Sequence, residues 1–386
     1  MPKKCKNGLV WNEWRNGDGV LCIELTGEGF LTDSEVSELH AEFLNESSFE
    51  ILVQDDCNIY LPPEDSVFDL FSEPESPEEE LNSRLFLVFR KGVLKDHTEE
   101  AFEGLRKATM VSFQSKNRGV AGGKVDPTRF GREVERVIPI GDGTRARYVT
   151  KDGVVSKTVE ANVTQSSIVG FYPATTRAPY VRKTRYARDY APLFERSFPY
   201  FKLSSEIFER ECPAKARTQR KFLEKNALIE REWVLPETLY TTITVNKNFQ
   251  TACHRDTGDL KAGMENFGVL VSGEHNYKGG YTVFPQFRVA FDCRHGDWVA
   301  MDVAQHYHGN TPIEPVVEGE VDYFRMSLVM YVREDLSGAG TQAEEHKKYL
   351  SWKKDFIPPI KKSEIRLEAH KKNEAEAEFL FDEFSE

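Results

Sequence analysis

The pattern of apolar and polar positions changes along the chain near residue 239. Before that point, apolar runs typical of strands occur at 19–25, 85–90 and 166–172. Helical spacing follows Thr32, where Glu35 completes a capping box, and recurs over 99–110. The first part of the chain is therefore predicted to contain both strands and helices.

From residue 239 onward, short apolar runs follow one another, separated by Gly, Pro, Asn and Asp. Regularly spaced short strands with such turns indicate a β-sandwich or barrel. We favour an α+β fold whose core is a double-stranded β-helix of the jelly-roll or cupin-like type, braced by helices and extended by helical additions at both ends. The predicted strands are 239–245, 267–272, 280–284, 288–291, 297–303 and 325–332.

The acidic, proline-punctuated segment 72–80 is typical of a solvated linker. It suggests a division into an N-terminal extension over 1–84, a double-stranded β-helix domain over 85–335 and a charged helical tail over 336–386. In the tail, 344–353 and 365–381 have helical patterns.

Composition limits the class of protein. Hydrophobic residues make up 39% of the 386 positions, which is enough for a core, yet no apolar run approaches the length of a membrane span. The basic N-terminus has no apolar stretch behind it, so we expect an intracellular protein without a secretory signal. The six cysteines form no CxxC pair, which disfavours a zinc ribbon. The net charge of -12 argues against nucleic-acid binding over the whole surface but allows a local basic groove.

His254 and Asp256 are candidate metal ligands, because side chains two residues apart on a strand point the same way. His306 and His308 lie downstream, also two residues apart, and either can complete a set of two histidines and one carboxylate. Such a facial set leaves three positions open, which suits Fe(II), a bidentate 2-oxo acid and dioxygen.

Arg325 and Ser327 are candidate ligands for the 2-oxo acid. Arginine binds a carboxylate through two parallel hydrogen bonds, and Ser327 faces the same way two residues later. We therefore predict an Fe(II) oxygenase that uses 2-oxoglutarate.

The segment 177–190 is basic and rich in tyrosine, with Arg177, Arg182 and Arg185 among its cations. Arginine interleaved with aromatics suits phosphates and stacked bases, whereas arginine alone also suits a carboxylate co-substrate or a solvated face. The glycine-rich stretch 117–123 lacks the lysine of a phosphate loop and is interpreted as a tight turn.

From about Leu85 to Arg333 the sequence resembles the TET/J-binding-protein oxygenases, which oxidise the methyl group of pyrimidines in nucleic acid. The shared motifs are Asn117-Arg118-Gly119, Ser166-Ser167-Ile168, Ala178-Pro179-Tyr180-Val181-Arg182, Thr244-Val245-Asn246, His254-Arg255-Asp256, Gly279-Gly280-Tyr281, His308-Gly309-Asn310-Thr311-Pro312 and Arg325-Met326-Ser327.

The resemblance implies particular roles. It selects His308 over His306 as the third Fe(II) ligand, and it assigns Arg325, Ser327 and Arg182 to 2-oxoglutarate. It implies DNA as the partner, with a flipped pyrimidine base next to the iron. The residues expected to contact this substrate are Asn246, Asp259, Arg177 and Arg185. A monomer is expected, acting in the nucleus if its source is a eukaryote.

Some alternatives stay open. The sequence has Thr257-Gly258-Asp259 where animal relatives have His-Asn after the aspartate, so the base can be 5-methylcytosine or thymine. The same iron site also serves oxygenases of proteins, of RNA or N6-methyladenine, and of small molecules. A non-catalytic metal-binding β-sandwich is the alternative from another class.

Overall fold

The computed structural model describes residues 2–63, 76–110, 118–130, 134–271, 277–318 and 323–355. Residues 72–75 of the acidic segment, Asn117 and the predicted helix 365–381 lie outside the described residues, whereas residues 77–80, predicted as part of a linker, begin a helix. The strands are β1 (Lys3–Lys4), β2 (Val10–Arg15), β3 (Leu21–Leu25), β4 (Ile51–Val53), β5 (Cys57–Tyr60), β6 (Leu85–Arg90), β7 (Arg136–Ile140), β8 (Arg145–Val149), β9 (Ser166–Tyr172), β10 (Arg182–Lys183), β11 (Thr242–Lys247), β12 (Glu265–Val271), β13 (Tyr277–Gly279), β14 (Thr282–Phe284), β15 (Val289–Phe291), β16 (Trp298–Met301), β17 (Gly309–Asn310), β18 (Ile313–Pro315) and β19 (Arg325–Tyr331). The α-helices are α1 (Asp33–Glu38), α2 (Pro77–Ser83), α3 (Thr98–Met110), α4 (Arg185–Asp189), α5 (Ala191–Glu195), α6 (Phe198–Glu211), α7 (Pro213–Lys225) and α8 (Gln342–Asp355).

A large sheet forms the main layer, with the strand order β1-β2-β3-β5-β6-β16-β12-β19-β11-β9-β10. Its central strand β19 lies between β12 and β11 and pairs with both in antiparallel register. These strands come from distant parts of the chain, so their side chains meet only in the folded protein. The face of β19 that carries Arg325, Ser327 and Val329 is the one on which the candidate site is built.

A smaller sheet with the order β17-β14-β15-β4 packs against one face of the large sheet. Phenylalanines fill the space between the layers: the Phe86 and Phe284 ring centroids are 4.6 Å apart, and those of Phe267 and Phe291 are 5.7 Å apart. All four belong to one buried apolar cluster. Two sheets are therefore held face to face by interdigitated aromatic side chains.

Helices cover the opposite face of the large sheet. Leu105 of α3, Tyr200, Phe201 and Phe208 of α6 are buried in a second cluster with residues of the central strands. The indole Nε1 of Trp298 on β16 donates to Ser204 Oγ on α6 at 3.1 Å. The mixed α+β class and the bracing helices predicted from the sequence are confirmed.

The N-terminal part differs from the helical addition that was expected, because it contributes mainly strands. β3 runs parallel to β5, which pairs with β6, so these strands extend the large sheet. β4 pairs in parallel with β15 of the small sheet. Only α1 is helical as predicted there, and its capping box between Thr32 and Glu35 is present. The runs of three to six residues were too short for their period to separate strand from loop.

The six strands predicted after residue 239 are confirmed with small shifts at their ends. The structure adds β13, β17, β18 and the β7–β8 hairpin, none of which was foreseen. The helix predicted over 344–353 is confirmed as α8, and it packs on the body through Tyr180, whose ring contacts Tyr349 and Trp352. Among the described residues, no helix has the length and apolar character needed to cross a membrane.

Candidate metal and co-substrate site

His254 and His308 are joined by a two-residue β-bridge. His254 N donates to His308 O at 2.9 Å, and His308 N donates to His254 O at 2.8 Å. His308 lies beyond β16, which ends at Met301, and a turn precedes the bridge. The bridge places the two imidazoles side by side, with ring centroids 4.4 Å apart.

Asp256 completes the group. Its Oδ1 lies 3.3 Å from His254 Nε2, and its Oδ2 lies 3.5 Å from His308 Nε2. One donor atom from each of the three residues falls within 4.8 Å of the others, a separation that a single ion can span. Two imidazole nitrogens and one carboxylate form the donor set typical of a mononuclear non-haem iron site.

Backbone carbonyls orient both imidazoles. His254 Nδ1 lies 2.7 Å from Ala252 O, and His308 Nδ1 lies 3.2 Å from His306 O. Donation from Nδ1 to a carbonyl leaves the lone pair on Nε2, the atom that faces Asp256. The rings are therefore held in the tautomer that a metal requires.

The electrostatics of the group also suit a cation. Burial would raise the pKa of Asp256, but the two adjacent imidazoles hold it well below its usual range, so the carboxylate is ionised. Burial and the neighbouring His254 lower the pKa of His308, which favours the neutral imidazole. For His254, burial lowers the pKa, but attraction to Asp256 outweighs it and the pKa is raised. A bound cation would displace that proton.

A cavity of about 360 Å³ opens beside these three side chains. Six residues predicted from the sequence line it, namely His254, Asp256, His308, Asn246, Asp259 and Ser327. Asn246 Oδ1 accepts a hydrogen bond from the Ser166 hydroxyl, which fixes one wall. The volume is in the range of a small-ligand site that opens to solvent.

Arg325 lies behind this cavity, on the same face of β19 as Ser327. Its side chain is 1% exposed, Nη2 donates to Gly280 O at 3.2 Å and Nε has no hydrogen-bond partner. Among the described residues, no carboxylate forms a salt bridge with it. A buried guanidinium without a counter-ion is destabilising, so this position is suited to an anionic ligand.

Two further carboxyls, Asp259 and Glu265, line the cavity next to Asp256. Burial raises the pKa of Asp259 to about 7, and its neighbours Asp256 and Asp335 add to the effect. Burial and the adjacent carboxyls Asp259 and Asp256 raise the pKa of Glu265 well above its usual range. Neither Glu265 oxygen has a hydrogen-bond partner in the described structure, so the cavity contains polar groups that a ligand can satisfy.

Four charged residues of the cavity were missed by sequence reasoning: Arg118, Arg255, Glu265 and Arg333. Arg118 stands in the Asn117-Arg118-Gly119 motif, to which we had assigned no site role, and burial lowers its pKa. Glu265 opens β12 beside the polar Asn266, before the predicted start of the strand, so the sequence carried no clear signal for it. Arg333 stands two residues beyond the end of β19 and pairs by a backbone bridge with Asp259.

None of the four arginines predicted as site residues lines the cavity: Arg325 lies behind it, and the other three lie elsewhere. Arg182 donates from Nη1 to Pro173 O and Tyr180 O, each at 3.2 Å, and stacks on Tyr172. Arg185 pairs with Asp189 at 3.4 Å, and Arg177 is exposed. His306, the alternative ligand, packs among core rings, with Phe287 at 4.9 Å. Its Nε2 lies 4.0 Å from Asp302 rather than near Asp256.

Comparison with known proteins agrees with this geometry. Residues 167–334, less than half of the chain, match the family model Tet_JBP, which is described as the oxygenase domain of the 2OGFeDO superfamily. The matched segment contains all three candidate metal ligands and Arg325.

Curated relatives share this region. The chain is 31% identical over 184 residues to the bifunctional helicase and thymine dioxygenase JBP2 of Leishmania infantum, covering 47% of this chain and 16% of that protein. It is 28% identical over 181 residues to the thymine dioxygenase JBP1 of Leishmania braziliensis, covering 46% of this chain and 21% of that one. The chain thus matches about a fifth or less of the length of these relatives. A solved structure of NgTET1 in complex with 5mC DNA aligns with 83% of this chain and 100% of that one at 11% identity, with a TM-score of 0.43, a likeness too distant to support an inference.

Proposed function

We propose that this protein is an Fe(II)- and 2-oxoglutarate-dependent dioxygenase that hydroxylates the methyl group of a pyrimidine base in DNA. The bases concerned are 5-methylcytosine and thymine. The observation that carries the proposal is the His254–Asp256–His308 group, set beside a cavity that ends near a buried, unpaired arginine. A structural metal site would have no need of such an arginine.

The proposed fold of the catalytic unit is a double-stranded β-helix. Its support is the pairing of a large and a small antiparallel-rich sheet around an aromatic core, with the metal group where the two sheets meet. We also propose residues 85–335 as the catalytic unit, between the extension 1–84 and the tail 336–386. The cavity residues all fall between Arg118 and Arg333, which supports this division.

His254, Asp256 and His308 would hold Fe(II) through Nε2, a carboxylate oxygen and Nε2. Arg325 would bind the distal carboxylate of 2-oxoglutarate, and the Ser327 hydroxyl would donate to the same group. When bound, Fe(II) with 2-oxoglutarate and dioxygen supplies the oxidising chemistry: the methyl substrate, 2-oxoglutarate and O2 become the hydroxymethyl product, succinate and CO2. Arg182, assigned to the co-substrate by resemblance, stays a prediction.

The remaining cavity residues would bind the base. Asn246, Asp259 and Glu265 offer acceptors and donors to its polar edge, while Arg118 and Arg333 supply positive charge nearby. Because the metal group lies in a recess, a base stacked inside a duplex cannot reach it, so the target must be flipped out or single-stranded. The predicted contacts of Arg177 and Arg185 with phosphates would then lie outside the cavity.

The test is succinate formation from 2-oxoglutarate by purified protein with Fe(II), with and without DNA that contains 5-methylcytosine or only thymine. Base products are identified by mass spectrometry. His254→Ala should abolish turnover, whereas the matched change His306→Gln should retain it, since His306 faces the aromatic core. DNA-stimulated succinate together with a hydroxymethyl base is the expected result.

Other outcomes would redirect or end the proposal. Succinate without a base product would move the substrate to protein, RNA or a small molecule. Absence of succinate under all conditions would contradict the oxygenase function. Light scattering would check the expected monomer, and imaging of a tagged chain would check action at cellular DNA, in the nucleus if the source is a eukaryote.

A further inference from the structure

A small antiparallel unit stands beside the cavity, built from β7, β8 and the segment 155–160. In β7–β8, Arg136 pairs with Val149, Ile138 with Arg147, and Ile140 with Arg145. Val155 and Glu160 then bridge back to Val149 and Ala146. Paired residues in an antiparallel ladder lie on the same face, so the alternation along β8 defines two faces.

One of these faces is turned toward the protein, since Ala146 and Glu160 are buried. The other face is turned toward solvent, and we call it the hairpin face. It consists of Arg136, Ile138, Ile140, Arg145 and Arg147, together with Val149, which is buried opposite Arg136. Its three arginines are exposed, and Ile140 between them is 41% exposed.

The arginines of the hairpin face differ from most exposed arginines of this protein. Arg188 pairs with Asp189, Arg210 with Glu211 and Arg220 with Glu209. Within the part of the chain that the structure describes, no salt bridge involves Arg136, Arg145 or Arg147, and no acidic residue belongs to the hairpin face. On a chain of net charge -12, such an exclusively cationic face is a local exception.

The hairpin is tied to the cavity wall at its turn. Val125 N donates to Gly143 O at 2.9 Å, and the buried Asn162 donates from Nδ2 to Gly122 O and Lys124 O, each at 2.8 Å. One residue before Gly122, Ala121 lines the cavity and accepts from Ala252 N at 2.9 Å. The hairpin is therefore bonded to residues 121–125, the segment that forms the cavity wall beside His254.

The tip of the hairpin also approaches the mouth of the cavity. Asp142, in the turn, lies 3.7 Å from His40 Nε2, and the His40 ring is 6.3 Å from that of Tyr307. The exposed Arg255 stacks on Tyr307, with its guanidinium 4.4 Å from the ring centre. Arg255 lines the cavity next to the candidate metal ligands, so the turn of the hairpin is connected to the cavity mouth through His40 and Tyr307.

We propose that the hairpin face binds the phosphodiester backbone of the nucleic acid on one side of the target base. The inference rests on the proposed function for its substrate. Guanidinium groups bind phosphate oxygens through paired hydrogen bonds, and unpaired arginines do so without first breaking an ion pair. The isoleucines between them suit contact with sugars, and the anchored turn of the hairpin holds this contact at a fixed position relative to the cavity.

The test compares Arg145→Gln/Arg147→Gln with the matched control Arg210→Gln/Arg220→Gln, which removes the same charge from paired arginines. Binding of a fluorescent DNA duplex and of a single strand is measured by anisotropy over a salt series. The loss of two phosphate contacts should reduce the slope of the logarithm of the binding constant against the logarithm of the salt concentration by roughly 1.8 for the duplex. It should also weaken binding about tenfold or more at low salt. The control should keep the wild-type slope.

A second readout separates this inference from the proposed function. Oxidation of a methylated trinucleotide, too short to reach the hairpin face from the cavity, should be unchanged in the Arg145/Arg147 variant, whereas KM for the duplex should rise. Equal salt slopes for wild type and variant would overturn the inference while base oxidation by the wild type still upheld the proposed function. If the wild type binds DNA through the hairpin but oxidises no base, the proposed function fails instead. Failure of the wild type to bind either DNA would overturn the inference.

Discussion

His254 and His308, 54 positions apart in the sequence, exchange two backbone hydrogen bonds of 2.9 and 2.8 Å. The backbone, rather than the side chains, therefore sets the separation of the two imidazoles. This arrangement leads to a prediction about the residue that follows His308.

Gly309→Ala should weaken Fe(II) binding without removing any ligand. A Cβ at Gly309 would lie 3.1 Å from Ala252 C, from Cys253 N and from Thr251 O, which are backbone atoms of the partner segment. To relieve the contact, the bridge must open by a few tenths of an ångström, which misplaces His308. Gly338→Ala is the control, since a Cβ there meets nothing within 4 Å. Fe(II) titration followed by succinate formation measures the effect, and equal affinities in the two variants would show that the bridge does not position the ligands.

Arg325→Lys should raise KM for 2-oxoglutarate by roughly ten- to hundredfold, the equivalent of losing a charge-assisted hydrogen bond. Lysine lacks the planar pair of donors and would place a strongly hydrated ammonium in a buried position. Arg182→Lys is the informative comparison, because Arg182 already donates to two carbonyls. A larger KM change in Arg182→Lys than in Arg325→Lys would reverse the roles argued above.

Stability of the metal-free protein should fall as pH rises from about 4 to 7. The pKa of Asp259 is raised by burial to about 7, so the folded protein keeps a proton that the unfolded chain has released above its ordinary carboxyl pKa. This contribution is complete at low pH and is lost as pH rises through 7. The size of the pKa shift depends on the charged side chains around Asp259, which are Asp256, Glu265, Arg333 and Asp335.

Asp259→Asn should flatten this dependence. Urea denaturation in the presence of a chelator, repeated across the pH window, measures the free energy of unfolding. Asp152→Asn, at an exposed turn, serves as the control and should keep the wild-type slope. Parallel curves for Asp259→Asn and the wild type would contradict the raised pKa.

Glu345→Gln should destabilise the protein by about 1 to 3 kcal/mol, the range for a buried hydrogen bond left with a poorer acceptor. The buried Glu345 carboxylate accepts from Val181 N at 2.7 Å and from Gly340 N at 2.8 Å, and so ties α8 to the strand that carries Arg182. An amide can accept at only one of these positions. Thermal unfolding of this variant is compared with that of Glu344→Gln, which changes an exposed neighbour. Equal losses of stability in the two variants would show that the effect comes from capping of the helix and not from the buried hydrogen bonds of Glu345.

Local periodicity pointed to residues that the structure places near one another. His254 and Asp256 lie two residues apart, as do Arg325 and Ser327, so alternation along a strand predicted that each pair shares a face. Spacing could not distinguish His306 from His308, because the two lie two residues apart and would face the same way. In the structure His308 bridges to His254 and lies beside Asp256, whereas His306 packs among core rings, and this difference depends on a long-range contact.

Other features depended on tertiary packing. The β7–β8 hairpin has only five residues in each strand, and Arg145 and Arg147 alternate with buried positions that show no apolar run. Glu265 has an ordinary sequence environment, and its burial beside Asp259 becomes evident only once β12 is placed in the sheet. In the segment 177–190, the sequence did not reveal which cations have partners, and in the structure Arg185 and Arg188 pair with Asp189.

The parallel pairing of β4 with β15 has a consequence for how the chain acquires its structure. Ile51 pairs with Val289, 238 positions further along the chain, so the small sheet cannot close early during synthesis. Contacts of such separation slow folding, because the entropy of a long loop is lost before the strand pair is gained. We expect a slow, late folding phase in which the His254–His308 bridge and the small sheet form together, while the helical layer assembles from nearer contacts.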